Sequence, residues 1–200
     1  MFNVRQITDL HRAMVVQWHK QEIANKYHGF LAVVCQQFSF NFRLWHEEDI
    51  ARSRDVSDAR IAEVKRNIDR YNQQRNDWIE KIDDYITDEL DRRGVVTAPD
   101  APLNTETPGS AIDRLSILAL RIYHLEEQLE RTDVTADHLQ SVERKLGICL
   151  IQHEDLSNSL QELLDDIVAG RKRHKTYRQL KMYNDPSLNP YLYQSRRKAA

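Results

Sequence analysis

Apolar residues recur every three or four positions along most of the chain, which is the spacing of one face of an α-helix. The pattern predicts a first helix that continues to about Gly29, the first strong helix breaker. Its apolar positions are Ile7, Leu10, Met14 and Trp18. A second stripe begins at Val34 and runs through two phenylalanines toward Ile50, which predicts a second helix.

The third helix has the longest apolar stripe. Residues 55–58 offer capping side chains before it, and Gly94 follows its last apolar position. The stripe consists of Ile61, Val64, Ile68, Tyr71, Ile79, Ile82, Ile86 and Leu90. Residues 94–109 then concentrate glycine and proline, so we expect one substantial loop that separates two helical halves.

Two further helices are predicted after this loop. Thr107, Pro108 and Ser110 supply a capping hydroxyl and a first-turn proline, so the fourth helix begins there and runs to about Arg131. Thr135 or Asp137 caps the fifth helix, which Gly170 ends. Its seam is Leu139, Val142, Leu146, Cys149, His153, Leu156, Leu160, Leu163 and Ile167.

The chain therefore predicts an all-α fold, a bundle of about five long helices. One domain is expected over residues 1–181, with a Pro-rich loop between residues 94 and 109. A further short helical stretch is expected after Gly170. Pro186 and Pro190 then favour an extended C-terminal tail over residues 182–200.

Composition narrows the class of protein. The chain has 29 Lys and Arg against 31 Asp and Glu, so no net positive charge favours nucleic acid, and no nucleic-acid partner is expected. No segment reaches the length of a membrane span, and the start of the chain lacks a signal peptide, so a cytoplasmic protein is expected. Cys35 and Cys149 match no metal or disulfide spacing and read as buried thiols.

Polar residues interrupt four of the apolar stripes, where an unpaired polar group is costly. The interruptions are His46 and Asp49 on the second helix, Arg75 on the third with Asn72 and Asn76 nearby, His124 and Glu127 on the fourth, and His153 on the fifth. Two of them are His-x-x-carboxylate pairs, whose side chains project the same way. The set is open to three interpretations: a structural polar network, an acid/base or ligand-binding pocket, or a metal site.

Two segments are candidate anion sites. The start of the fourth helix presents free backbone N–H groups, with Gly109, Ser110, Asp113 and Arg114 in its first two turns. The alternative is an ordinary helix start with proline and glycine. The basic run 171–175, with Arg178 and Lys181, either binds phosphate or forms a solvated face.

Four blocks of the sequence resemble the bacterial family labelled domain of unknown function 4254. They are residues 44–52 (LWHEEDIAR), 72–77 (NQQRND), 104–118 (NTETPGSAIDRLSIL) and 181–186 (KMYNDP). The resemblance implies a bacterial helical protein often encoded with genes for cell-surface glycan and lipopolysaccharide assembly. It supplies no reaction, no cofactor and no catalytic residue set.

Three functions fit these observations. The first is a site inside the bundle for an anionic ligand, such as a phosphorylated sugar or nucleotide-sugar of surface-glycan biosynthesis. In that site His46, His124 and His153 are the acid/base groups, Asp49 and Glu127 orient them or bind a cation, and Arg75 and Arg114 hold the anion.

The other two functions use different residues. A Mg²⁺-dependent all-α nucleotide pyrophosphatase would use Glu47, Glu48, Glu80 and Asp83. A non-enzymatic scaffold for glycan-assembly enzymes would dock through its helices or through its C-terminal Tyr183, Tyr191 and Tyr193. The identity of any cofactor and the oligomeric state stay open.

Overall fold

The computed structural model describes residues 2–180, 182 and 185–193, and in these ranges the chain forms helices and no β-strand. The all-α prediction is therefore confirmed. The helices are α1 (Val4–Trp18), α2 (Gly29–Arg52), α3 (Asp58–Arg92), α4 (Pro108–Leu129) and α5 (Ala136–Val168). Across the described ranges, none of these helices combines the length and the apolar composition that crossing a bilayer requires.

Helix α4 is the central element of the bundle. It packs along α5 and also contacts α1, α2 and α3, while α2 packs along α3. The largest fully buried apolar side chains are Ile7, Leu10, Phe38, Ile82, Ile86, Ile112, Leu115, Leu120, Leu160 and Leu164. Because α2 and α5 make no extended contact with each other, one face of α4 is left open between them.

Local sequence signals set most helix ends. The side chains of Ser57, Thr107 and Thr135 accept hydrogen bonds from the backbone N–H groups of the first turns of α3, α4 and α5. Gly94 and Gly170 follow α3 and α5 with φ of 64° and 70°, a left-handed conformation that glycine adopts without strain. The predicted ends of these helices agree with the structure to within a few residues.

The predicted end of the first helix at Gly29 is wrong, because α1 ends at Trp18. The next positions of its stripe are the polar residues Gln21 and Glu22, which leave no apolar face to bury. Side chains instead stabilise a loop. The Trp18 indole N–H donates to the Ala24 carbonyl (3.3 Å), and the side-chain amide of Asn25 donates to the Ala32 carbonyl (2.8 Å).

The short helix predicted after Gly170 does not form, and residues 171–180 cross the bundle as an irregular strap. Their backbone N–H groups bond to other elements: that of Arg173 donates to the Pro102 carbonyl (3.0 Å), and that of Gln179 donates to Glu80 (2.7 Å). In the tail that we predicted to be extended, residues 186–188 form a turn and residues 190–193 a helical turn. Residues 181, 183, 184 and 194–200 lie outside the described residues.

Candidate functional site

The structure divides the predicted site residues among several places. Arg75 and Asp113 meet in a buried polar network, and His46 and His124 meet in a cluster of aromatic rings. Gly109 lies against α3, and His153 lies on the other side of α4 from Arg114.

The first of these places, the Asp113 network, surrounds a carboxylate that is 3% exposed. Arg75 donates to both of its oxygens, from Nε at 2.8 Å and from Nη2 at 2.5 Å. The side-chain amides of Gln37 (2.6 Å) and Asn41 (2.8 Å) donate to the same carboxylate. Asn41 also donates to the hydroxyl of Ser116 at 2.7 Å. The hydrogen bond to Asp113 raises the pKa of Arg75, so the two groups form a charged pair.

Gln37, Asn41 and Ser116 were not predicted as members of this network. A signal for the first two was present in the sequence. They lie three and seven residues after Val34, the first residue of the predicted stripe, so both point toward the bundle. Ser116 had no comparable signal, because serine is common on any helix face.

The second place is a histidine cluster formed by His19, His46 and His124. The ring centroid of His19 lies 5.2 Å from that of His46 and 5.1 Å from that of His124, and the centroids of His46 and His124 are 6.2 Å apart. Tyr123 stacks on His19 at 4.3 Å and Trp45 stacks on His124 at 4.7 Å. Burial lowers the pKa of His46, and the neighbouring rings of His19 and His124 lower it further.

Hydrogen bonds define which ring nitrogen is the donor in two histidines of the cluster. Nδ1 of His124 lies 2.7 Å from a carboxylate oxygen of Glu127, and Nδ1 of His19 lies 2.6 Å from the Val15 carbonyl. Both partners are acceptors, so Nδ1 is the donor in each ring. Both Nε2 atoms are buried and have no hydrogen-bond partner among the described residues. Within that same part of the chain, no group of three His, Cys, Asp or Glu residues is placed to hold a metal ion.

His153 lies apart from this cluster. It lines a cavity of about 350 Å³ between α1, α4 and α5, and burial lowers its pKa. Its charge contributes to lowering the pKa of His11, which sequence reasoning missed. His11 is fully buried, its two ring nitrogens have no partner among the described residues, and burial lowers its pKa to about 3. The sequence did hold a signal, since His11 falls between Ile7 and Met14 on the α1 stripe.

The first turn of α4 holds a carboxylate of the protein itself. The backbone N–H of Gly109 donates to Asp83 at 2.7 Å, and the Thr107 hydroxyl accepts from the Ser110 N–H at 3.1 Å. A Cβ at Gly109 would lie 2.6 Å from the Ile79 carbonyl oxygen, so this glycine allows α3 and α4 to approach closely. Asp83 thus occupies the position that we predicted for an external anion. Burial raises its pKa, and the hydrogen bonds from Thr107 and Gly109 oppose that shift.

An open groove runs along the exposed face of α4, and we call it the α4 groove. It comprises three adjoining cavities of about 520, 360 and 560 Å³. Ile117 lines the first and second, Arg121 the first and third, and Trp45 and Asp49 the second and third. The floor is α4, one wall is formed by α2 and α3, and the other wall is α5.

Five cationic and three anionic side chains line the α4 groove. They are Arg52, Arg75, Arg114, Arg121 and Lys145 against Glu48, Asp49 and Asp155. Arg52 pairs with Glu48 at 2.7 Å, and Arg75 pairs with Asp113. Arg114 and Arg121 are exposed and form no ion pair within the described ranges. Lys145 is also exposed and forms no ion pair in those ranges, so the groove presents three cationic side chains that are available to a ligand.

The other predicted residues have separate surroundings. Asn72 lines the α4 groove beside Arg75, whereas Asn76 is half-buried on α3 and does not line it. Among the carboxylates proposed for Mg²⁺, Glu47 accepts from Asn67 and Glu80 accepts from Arg178. Tyr191 and Tyr193 are exposed, and Tyr183 and Lys181 lie outside the described residues.

Comparison with known proteins gives one match. The sequence model of a family of proteins of unknown function, DUF4254, matches residues 31–176. No curated protein matches the chain, and no solved structure matches it. The matched range includes the Asp113 network and the whole lining of the α4 groove.

Proposed function

Since this chain belongs to the DUF4254 family of proteins of unknown function, we propose a function from its own geometry: the α4 groove binds an anionic small molecule. One observation carries the proposal. Arg114 and Arg121 lie on the same face of α4, both are exposed in the groove, and neither has an ion-pair partner in the described part of the chain. Guanidinium groups bind phosphate through two parallel hydrogen bonds, so these two are suited to a phosphorylated ligand.

The spacing of the two arginines favours an elongated ligand. Seven residues of α-helix separate them along the axis by about 10 Å. A nucleotide-sugar or a phosphorylated sugar of surface-glycan biosynthesis has this reach, and the indole of Trp45 offers a flat surface for a base or a sugar ring. The resemblance of the sequence to a family encoded beside glycan-assembly genes supports the same ligand class.

A reaction at this site would use the histidine cluster. His124 lines the groove and is the acid/base candidate there, but its Nε2 is buried, so catalysis would first require the ring to move toward the groove. Asp49 lies in the same cavity and can orient a substrate hydroxyl. Arg75 is tied to Asp113 and acts through that network, while His153, on the other side of α4, has no part in this proposal.

Isothermal titration calorimetry tests the binding proposal. The titrants are UDP-glucose, glucose 1-phosphate and inorganic phosphate, added to the wild-type chain and to the R114A/R121A variant. We expect the wild type to bind at least one sugar phosphate, and the double variant to bind it about 100-fold more weakly, since each lost charge-assisted hydrogen bond costs on the order of tenfold.

Arg66 supplies the matched control, because it is exposed on α3 and does not line the groove. The R66A variant should bind as the wild type does. No heat with any of the three titrants would reject the proposal, and so would equal binding by the wild type and the R114A/R121A variant.

A further inference from the structure

The outer face of α5 exposes a group of apolar side chains, which we call the α5 patch: Gly147, Ile148, Leu150 and Ile151. Ile148 is 55% exposed, Leu150 49% and Ile151 63%. The C-terminal part of the same helix buries Leu160, Leu163, Leu164 and Ile167. Contiguous exposed apolar surface on a helix is typical of a protein interface.

Gly147 gives a second, independent indication of contact. It lies in the middle of α5, where glycine costs about 1 kcal/mol relative to alanine. A Cβ at this position would meet no atom within 4 Å, so packing inside the chain does not require a glycine. A glycine on an exposed helix face lets the backbone of another helix approach closely.

The charges beside the α5 patch are arranged to match a second copy of themselves. Arg144, Ile148, Ile151 and Asp155 follow one another at intervals of four, three and four residues, so they form one stripe along the helix. Arg144 and Asp155 are exposed, and neither forms an ion pair among the described residues. The stripe is basic at its N-terminal end and acidic at its C-terminal end.

We propose that the α5 patch packs against the α5 patch of a second copy of the chain, with the two helices antiparallel about a two-fold axis between Ile148 and Ile151. In this register Ile148 lies opposite Ile151 of the second copy, and Arg144 lies opposite Asp155 of the second copy. The two-fold axis repeats each contact, which gives two Arg–Asp pairs.

The alternative arrangements do not combine these features. A parallel pairing of the two helices would place Arg144 against Arg144 and Asp155 against Asp155, and like charges in contact are unfavourable. An antiparallel pairing centred elsewhere would not place Ile148 opposite Ile151 and Arg144 opposite Asp155 at the same time. The dimer also has a geometric consequence for the α4 groove, because Lys145 and Asp155 line it, so the second copy would lie along its rim.

Sedimentation equilibrium of the wild-type chain, R144E, D155R and their equimolar mixture tests this proposal. One helix face is a small interface, so we expect a wild-type dissociation constant on the order of tens of micromolar. In a dimer of R144E, each new carboxylate at position 144 faces Asp155 of the other copy, so two pairs of acidic side chains repel each other. In a dimer of D155R, each new guanidinium at position 155 faces Arg144 of the other copy, so two pairs of arginines repel each other. Each substitution should weaken dimerisation by at least about tenfold. In the mixture both pairs are again of opposite charge, so the mixture should dimerise as the wild type does.

R66E on α3 is the control for the change in charge and should leave dimerisation unchanged. Far-UV circular dichroism of each variant checks that the helices are retained. A wild-type chain that stays monomeric at concentrations about tenfold above the expected dissociation constant would overturn the proposal. Dimers of R144E or D155R as tight as those of the wild type would also overturn it, as would a mixture that stays monomeric.

Discussion

Asp113 and His11 are two buried ionisable groups that the protein accommodates in opposite ways. Asp113 is 3% exposed and accepts hydrogen bonds from Arg75, Gln37 and Asn41. His11 is fully buried against Phe38, at 4.8 Å between ring centroids, and has no hydrogen-bond partner among the described residues. Donors surround the carboxylate, whereas burial lowers the pKa of the imidazole to about 3 and so excludes its charged form. The stability of the fold therefore depends on the hydrogen-bond partners of Asp113, and through His11 it depends on pH.

Removing the Asp113 carboxylate should have the largest effect on stability. In D113A, the Arg75 guanidinium and two side-chain amides lose their shared acceptor inside the bundle. Breaking a buried pair typically costs about 3–5 kcal/mol, and because Arg75 is 28% exposed in the groove we expect the lower end of that range. Urea denaturation followed by circular dichroism should show a decrease of this size in the free energy of unfolding.

Asp84 supplies the control for this variant. It pairs with Arg178 at 2.8 Å on the exposed side of α3, and such surface pairs contribute about 0–1 kcal/mol. D84A should therefore unfold close to the wild type. If D113A and D84A lost equal stability, the Asp113 network would contribute no more than a surface pair.

Acid should destabilise the fold through His11. Its pKa is about 3 in the folded chain and 6.5 in the unfolded chain, so the unfolded chain binds more protons between these values. The contribution of neutral His11 to the free energy of unfolding is complete above pH 6.5, and it decreases as the pH falls toward 3. By pH 4 the loss is roughly 3 kcal/mol. H11L has no ring to protonate, so urea denaturation of H11L between pH 7 and pH 4 should show a weaker pH dependence than the wild type.

The exposed His28, whose side chain makes no capping bond to α2, is the control for this experiment. H28L should lose stability with acid as steeply as the wild type. A wild-type slope in H11L would show that His11 is not the group responsible.

The smallest effect is expected at His46, which is half-buried and has neighbours on three helices. His19 and His124 oppose its protonation, while Asp49 and Glu127 favour it. Removing one opposing charge should raise the pKa of His46 toward its ordinary value, so H124Q should titrate His46 at higher pH than the wild type in an imidazole NMR titration. H28Q should leave that pKa unchanged, and a lower pKa in H124Q would contradict the arrangement of the cluster.

The fold was predictable wherever local chemistry decides it. The caps at Thr107 and Thr135 and the glycines after α3 and α5 set helix ends through contacts between near neighbours in sequence. The end of α1 was not predictable in this way, because the bond from Trp18 to Ala24 forms in the loop after the helix. The irregular strap 171–180 depends on acceptors about 70 to 100 residues earlier in the chain.

The site was predictable in part for the same reason. Helical phase placed Asp113 and Arg75 on the inner faces of their helices. It could not show that these two side chains pair with each other, or that Arg114 lies in the groove without such a partner. It grouped His153 with His124 because both interrupt a stripe, yet the two lie on different sides of α4. The carboxylate that fills the first turn of α4 comes from Asp83, 26 residues from Gly109, and no local pattern links them.

The central position of α4 also orders the assembly of the chain during its synthesis. Helix α1 leaves the ribosome before α4 and α5, but it packs against both, and Val4 donates its backbone N–H to Gln161, 157 residues later. The apolar face of α1 must stay uncovered on that side until α4 emerges. Newly made chains should therefore engage chaperones through this first segment, and translation pauses before α4 should prolong its exposure.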